Sequence, residues 1–145
     1  MKADDIITYC IDNYGYVECI NLPYGQELQY CQGGINVFFL SILEFDTEDD
    51  TFSSLNQPDK YRLSLCLSKE EYNKLFSRQC PYDAKYVCSK GCDFAAKNII
   101  MPHPVKANEF YIQCISPDKE IFEKILKELI SLSYKRARQE YLNRR

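Results

Sequence analysis

The sequence predicts an α+β protein: one antiparallel β-sheet of four to five strands with two to three helices packed on one face. Three observations carry that prediction. Apolar residues recur at helical spacing at both ends of the chain, alternate in short runs between, and are punctuated there by Gly and Pro. Successive strands flanked by helices, with no strict strand–helix alternation, belong to the α+β class. The expected order is α-β-β-β-β-α-β-α, in one domain over residues 1–145.

The first helix begins at Ala3 or Asp4. Ile6, Ile7, Cys10 and Ile11 follow the helical period, and Tyr14-Gly15 ends it. Residues 16–22 then read as a strand, Pro23-Tyr24-Gly25 turns the chain, and 27–31 form a second strand closed by Gly33-Gly34. The most apolar strand is 35–45, with Val37, Phe39 and Ser41 on one face and Phe38, Leu40 and Ile42 on the other. Apolar character on both faces suits the centre of a sheet.

An acidic loop at 46–50 leads to an irregular segment ending at Pro58-Asp59. Residues 61–67 alternate, with Leu63, Leu65 and Leu67 facing the core and Arg62 and Ser64 facing out. Ser68-Lys69-Glu70-Glu71 is a capping box that opens a helix over 69–78, with Tyr72, Leu75 and Phe76 inward. Residues 79–109 read as mostly irregular, a stretch long enough to be either functional or a packed flap. Strand 110–115 follows, and Ser116-Pro117 supplies an N-cap and a first-turn proline for the last helix. Ile121, Phe122, Ile125, Leu126, Leu129, Ile130 and Leu132 give that helix a broad apolar stripe. Its polar continuation past Tyr134 is expected to project beyond the core.

A chain of this length buries roughly 68–70% of its unfolded surface, enough for a real core. Hydrophobic residues at 46% and charged residues at 27% are those of an ordinary globular protein. No apolar run approaches the ~20 residues that span a bilayer. Met1-Lys2-Ala3-Asp4-Asp5 places acids where a signal peptide carries basic residues, so the expected location is cytoplasmic, with no membrane partner. The eight cysteines are then read mostly as reduced thiols that pack as small apolar residues.

A net charge of −3 argues against a dedicated nucleic-acid binder. The charge is uneven, however. Glu44, Asp46, Glu48, Asp49 and Asp50 crowd one segment, while 134–145 holds Lys135, Arg136, Arg138, Arg144 and Arg145 against Glu140 alone. Basic side chains there also complement the dipole of a helix end.

The sole histidine stands in Met101-Pro102-His103-Pro104-Val105. Proline fixes its own φ and keeps the preceding residue extended, so His103 sits on a rigid, irregular peptide. That makes it the first candidate binding residue, with Arg62 on the neighbouring strand as the second. Cys80, Cys88, Cys92 and His103 could close a tetrahedral zinc site and tie down the long loop, although their spacing matches no standard finger. Zinc is the one cofactor under consideration; none is expected. No phosphate-binding glycine loop, Gly-x-Ser-x-Gly elbow or His-Glu-x-x-His helix is present, which argues against a nucleotide-dependent enzyme, a serine hydrolase or a helix-based zinc protease.

Residues 55–64, Leu-Asn-Gln-Pro-Asp-Lys-Tyr-Arg-Leu-Ser, and the following Ser68 to Phe76 run resemble an uncharacterised bacterial family. Its members carry Leu-Asp-Arg-Pro-x-x-x-Arg-Leu-Asn and then a helix ending in Leu-Phe. Its Met-Pro-His-Pro-Val segment is matched by 101–105, and its Asn-Pro-Ser-x-x-x-Phe helix start, loosely, by Ser116 to Phe122. Gln57, Ser64 and Ser116 depart from the pattern. The cysteines at 80, 88 and 92 are not part of it. More distantly, the element order is similar to that of the MmcQ/YjbR group, a resemblance that implies an α+β sheet and, in some members, a suggested DNA-binding surface.

The expectation is therefore a non-enzymatic binding or interaction module that uses the 79–109 flap with His103, plus Arg62. Its partner would be a protein or small molecule sooner than nucleic acid. Three alternatives stand beside it: weak DNA binding through the basic C-terminal helix, an acid–base enzyme using His103, and a structural zinc site at Cys80, Cys88, Cys92 and His103.

Overall fold

The computed structural model describes residues 1–145. Helix α1 (Ala3–Asn13) leads into strands β1 (Val17–Leu22), β2 (Gly25–Gln32), β3 (Ile35–Leu43) and β4 (Arg62–Cys66). Helix α2 (Lys69–Leu75) follows, then β5 (Ile100–Pro102) and β6 (Tyr111–Ile115). The last helical rod is α3 (Lys119–Ile121), a π-helical turn (Phe122–Leu126) and α4 (Lys127–Arg144). Antiparallel pairing joins the strands into one six-stranded sheet of order β1-β2-β3-β4-β6-β5. The α+β class stands, with one strand more than expected.

The extra strand, β5, comes from the segment that holds the two prolines. Extended backbone is what proline imposes, and here it pairs with β6: Met101 opposite Gln113, Pro102 opposite Ile112. β5 is an edge strand, where a missing N–H breaks no ladder. The rest of 79–109 is packed down. Ile100 N donates to Tyr86 O at 2.8 Å, Cys88 N to Ile100 O at 2.9 Å, and Asn98 N to Ile115 O at 2.8 Å.

In β3 the expected alternation is interrupted. Leu28 pairs with Leu40 but Gln29 with Phe38, so Phe39 is the extra residue of a β-bulge. The bulge changes the phase of the strand: Val37, Phe39, Leu40 and Ile42 are all buried, and Phe39 meets the Tyr134 ring edge-on. β2 must also run very close to β3. A Cβ at Gly25 would lie 1.9 Å from Ile42 O, so only glycine fits where that strand begins.

Helix ends move for local reasons. Ser68 caps α2 as expected, accepting from Glu71 N at 3.2 Å. The helix stops at Leu75 because the Ser77 hydroxyl takes Lys74 O at 3.0 Å and accepts from Gln79 N, competing with the helical pattern. Asp118, and not Ser116, caps the last rod, its Oδ1 accepting from Ile121 N at 2.9 Å. Ser116 instead accepts from Tyr61 N. Past Tyr134 the helix keeps packing: Ala137 and Tyr141 are buried, and the Tyr141 ring lies tilted at 5.3 Å from that of Tyr30. The polar residues there are interleaved with a buried stripe, which the sequence reading took for a projecting end.

The main apolar cluster lies between the sheet and the helices. Ile6 and Cys10 of α1, Leu63 and Leu65 of β4, Ile112 and Cys114 of β6, and Ile125, Leu129 and Ile130 of the last rod all contribute. Four polar contacts fasten α4 to the middle of β3 and the end of β4. Ser133 Oγ lies 2.6 Å from Phe39 O and 2.8 Å from Cys66 O, and Arg136 Nε donates to Cys66 O at 2.9 Å. Arg136 also donates to Phe38 O and pairs with Glu140.

Arg136→Ala is therefore expected to lower stability by about 2 kcal/mol, because it takes the guanidinium donor from the Phe38 carbonyl and leaves the Cys66 carbonyl only the Ser133 hydroxyl. Arg138→Ala, which removes no such bond, should stay within about 0.5 kcal/mol. Urea unfolding of the two variants measures both values.

Candidate functional site

On β4 the residues between the core leucines point away from the helices. Register places Arg62 opposite Ile115 and Leu43, and Ser64 opposite Gln113 and Ser41. Arg62 and Ser64 were expected to face solvent. They are instead 1% and 3% exposed, because residues 46–55 fold over this side of the sheet as a second layer. Leu55 of that layer, Met101 of β5 and Ile115 of β6 are apolar residues buried outside the main cluster.

The covering loop is held by charge. Arg62 Nη1 pairs with Asp50 Oδ2, and Nη2 donates to Asp50 Oδ1 at 2.9 Å and to Ser53 Oγ at 2.7 Å. Ser53 Oγ lies 3.4 Å from Gln113 Oε1, and Gln113 Nε2 donates to Phe94 O at 3.1 Å. Burial pushes the Asp50 carboxyl up, but the Arg62 hydrogen bonds and charge outweigh it and hold the group below its usual range. Arg62 Nε alone among buried side-chain nitrogens and oxygens has no partner.

His103 stands beside this pair. It is 7% exposed, and its Nδ1 accepts from Val105 N at 3.1 Å and Lys106 N at 3.0 Å. The neutral imidazole so ties the turn after β5. Burial and the Arg62 charge, partly offset by Asp50, with a further push from Lys106, take its pKa from 6.5 to about 4. The structure thus brings the two predicted binding residues, Arg62 and His103, into one cluster, with both side chains occupied by internal partners.

The predicted zinc quartet is not assembled. Cys88 and Cys92 are joined as a disulfide, the turn between them made by Gly91 at φ 64°. The Cys80 thiol instead lies 3.8 Å from Tyr82 O. No group of three or more His, Cys, Asp and Glu side chains is placed to hold a metal. The other six cysteines are free, and burial pushes the Cys10 thiol up to about 12.

Residues 44–61 also build a feature that the sequence reading missed. The two ends of this stretch, 44–45 and 56–61, line an open-sided cleft of about 1100 Å³ together with Met1–Asp4, Lys97 and Ser116. Asp46 fixes the wall by accepting from Leu55 N at 2.8 Å, while its own amide donates to Asn56 Oδ1 at 3.0 Å. Tyr61 closes the floor, its hydroxyl donating to Met1 O at 3.0 Å. Phe45 is 53% exposed on the rim. Lys60 is the one buried charged side chain of the lining, at 6% exposure. Asp46 and Asp93, the nearest opposing charges, form no ion pair with it. Burial and then the Lys97 charge lower its pKa.

Two outcomes follow for the buried cluster. Asp50→Ala leaves the Arg62 guanidinium buried and uncompensated, and is expected to cost about 3–5 kcal/mol in denaturant unfolding. His103 takes up its proton near pH 6.5 when unfolded and near 4 when folded. Its contribution to stability is then complete above pH 6.5 and is lost as the pH falls toward 4, with Asp50 acting in the same sense at lower pH. NMR titration of the imidazole should show its midpoint near 4.

Searches of curated proteins and of solved structures return no match for this chain. One family model matches it over residues 1–145. With the whole of its length covered, the chain belongs to DUF6194, a family of unknown function.

Proposed function

We propose that this chain is a binding module for a small molecule, and that the cleft of about 1100 Å³ beside Tyr61 is its site. The cleft itself is the observation that carries this reading. Small-molecule sites are concave, with an apolar surface for the body of the ligand and a few convergent polar groups to orient it. Phe45 and Pro58 offer the apolar surface; Lys60, Asn56 and Ser116 are polar groups of the lining. No histidine or cysteine lines the cleft, which favours recognition over nucleophilic chemistry there.

This reading moves the binding surface away from the 79–109 flap, which contributes only Lys97 to the lining. Arg62 serves it from behind, by holding down the loop whose far end is the cleft wall. DNA binding through the last helix is less well supported, because Arg136 and Arg144 are engaged by backbone carbonyls and by Glu140. Lys135, Arg138 and Arg145 remain without ion pairs, too few for strong phosphate neutralisation.

A fragment library screened by amide chemical-shift mapping tests the proposal. Hits are expected to move the amides of residues 44–45, 56–61 and 97. Phe45→Ala should weaken them at least threefold while leaving the unfolding midpoint unchanged, since an exposed ring adds little to stability. Hits that cluster elsewhere on the surface would overturn the reading.

A further inference from the structure

We infer that the ligand of this cleft is an organic acid, its anionic group seated on Lys60 and its apolar body against Phe45 and Pro58. The inference rests on the cleft being the binding site and adds the class of molecule it takes.

Lys60 is the residue that decides the class. In Gln57-Pro58-Asp59-Lys60 the first three side chains are exposed, and Lys60 alone turns inward, to 6% exposure. Its ammonium makes no hydrogen bond and no ion pair within the chain, yet it is not sealed off, since Arg62 Nε is the sole buried polar side-chain atom without a partner. The tip of Lys60 therefore opens on the cleft. A lysine that is 6% exposed and has no paired carboxylate is stabilised when something anionic meets its tip.

The acids nearby are committed elsewhere. Asp46 Oδ1 takes the Leu55 amide, and Asp93 Oδ1 takes the Ala95 amide at 2.9 Å. Asp4, Glu44 and Asp59 also line the cleft, but all three are exposed and solvated at its edge, as is Lys2. Lys97 also lines the cleft and is exposed, and its charge acts on Lys60 as a second cation. A buried ammonium that no carboxylate pairs with, reinforced by the charge of the exposed Lys97, forms an anion seat. A carboxylate or a phosphate monoester would satisfy it equally, whereas a cationic ligand would meet repulsion at the deepest point.

Titrations read by amide chemical shifts separate the possibilities, using three probes that share one ring: benzoate, benzyl alcohol and benzylammonium. Phenyl phosphate run beside benzoate ranks the two anion types. Benzoate or phenyl phosphate is expected to shift the amides of Lys60, Tyr61 and Lys97, and to bind at least tenfold more tightly than the alcohol. Lys60→Met should remove that preference, Lys60→Arg should retain it within about threefold, and Lys97→Met should weaken the anions while leaving benzyl alcohol unchanged. Equal binding of the alcohol or of benzylammonium at the same amides would overturn the acid assignment and leave the small-molecule reading in place. Failure of all the probes at the cleft amides, together with fragment hits elsewhere, would overturn both.

Discussion

A guanidinium buried at the centre of a sheet governs the far side of this molecule. Arg62 sits on β4, between β3 and β6, with 1% of its surface exposed. Moving an ion out of water costs several kcal/mol even after relaxation, so the chain must bring a carboxylate and further acceptors to it. Asp50 and Ser53 answer that requirement from one loop. Once they are in place the loop lies flat on the sheet, Leu55 is buried beneath it, and the course of residues 56–61 is set. The cleft wall is thus a consequence of the ion pair two turns earlier in the loop.

The same requirement keeps the His103 imidazole neutral. An imidazole next to a buried arginine gains nothing from a second positive charge, and its Nδ1 is already used by two backbone amides. It acts as a neutral acceptor that shapes the turn after β5. The prolines on either side hold it in that position. Rigid backbone, an unusual segment and a lone histidine are features of a functional spot and equally of a structural corner. Burial and hydrogen bonding distinguish the two, and neither is visible in one dimension.

Local chemistry made much of the fold legible. The leucine alternation of β4 and the N-cap at Ser68 each stand where expected, because each is decided by neighbours in sequence. What escaped was decided by distant partners. The β3 bulge follows from fitting Phe39 under Tyr134, and β5 exists only because β6 offers it an edge. Arg62 was correctly placed on the face away from the helices, yet nothing nearby in sequence shows that another layer covers that face. Lys60 was the hardest to see. It follows three turn-forming polar residues and reads as one more solvated side chain. The only hint was the crowd of acids at 46–50 ahead of an isolated strand arginine, an arrangement that invites the loop to fold back.

Residue-resolved amide hydrogen exchange on the unliganded chain tests the central claim, that the Arg62 pair fixes the loop and with it the cleft wall. The amides of Asp46 and Leu55 donate to side chains within the loop, to Asn56 and Asp46 respectively. If the pair clamps the loop, these amides open only when the sheet does and exchange as slowly as those of β4. Fast exchange at Asp46 and Leu55 while β4 stays protected would show the wall opening on its own, and would contradict the account.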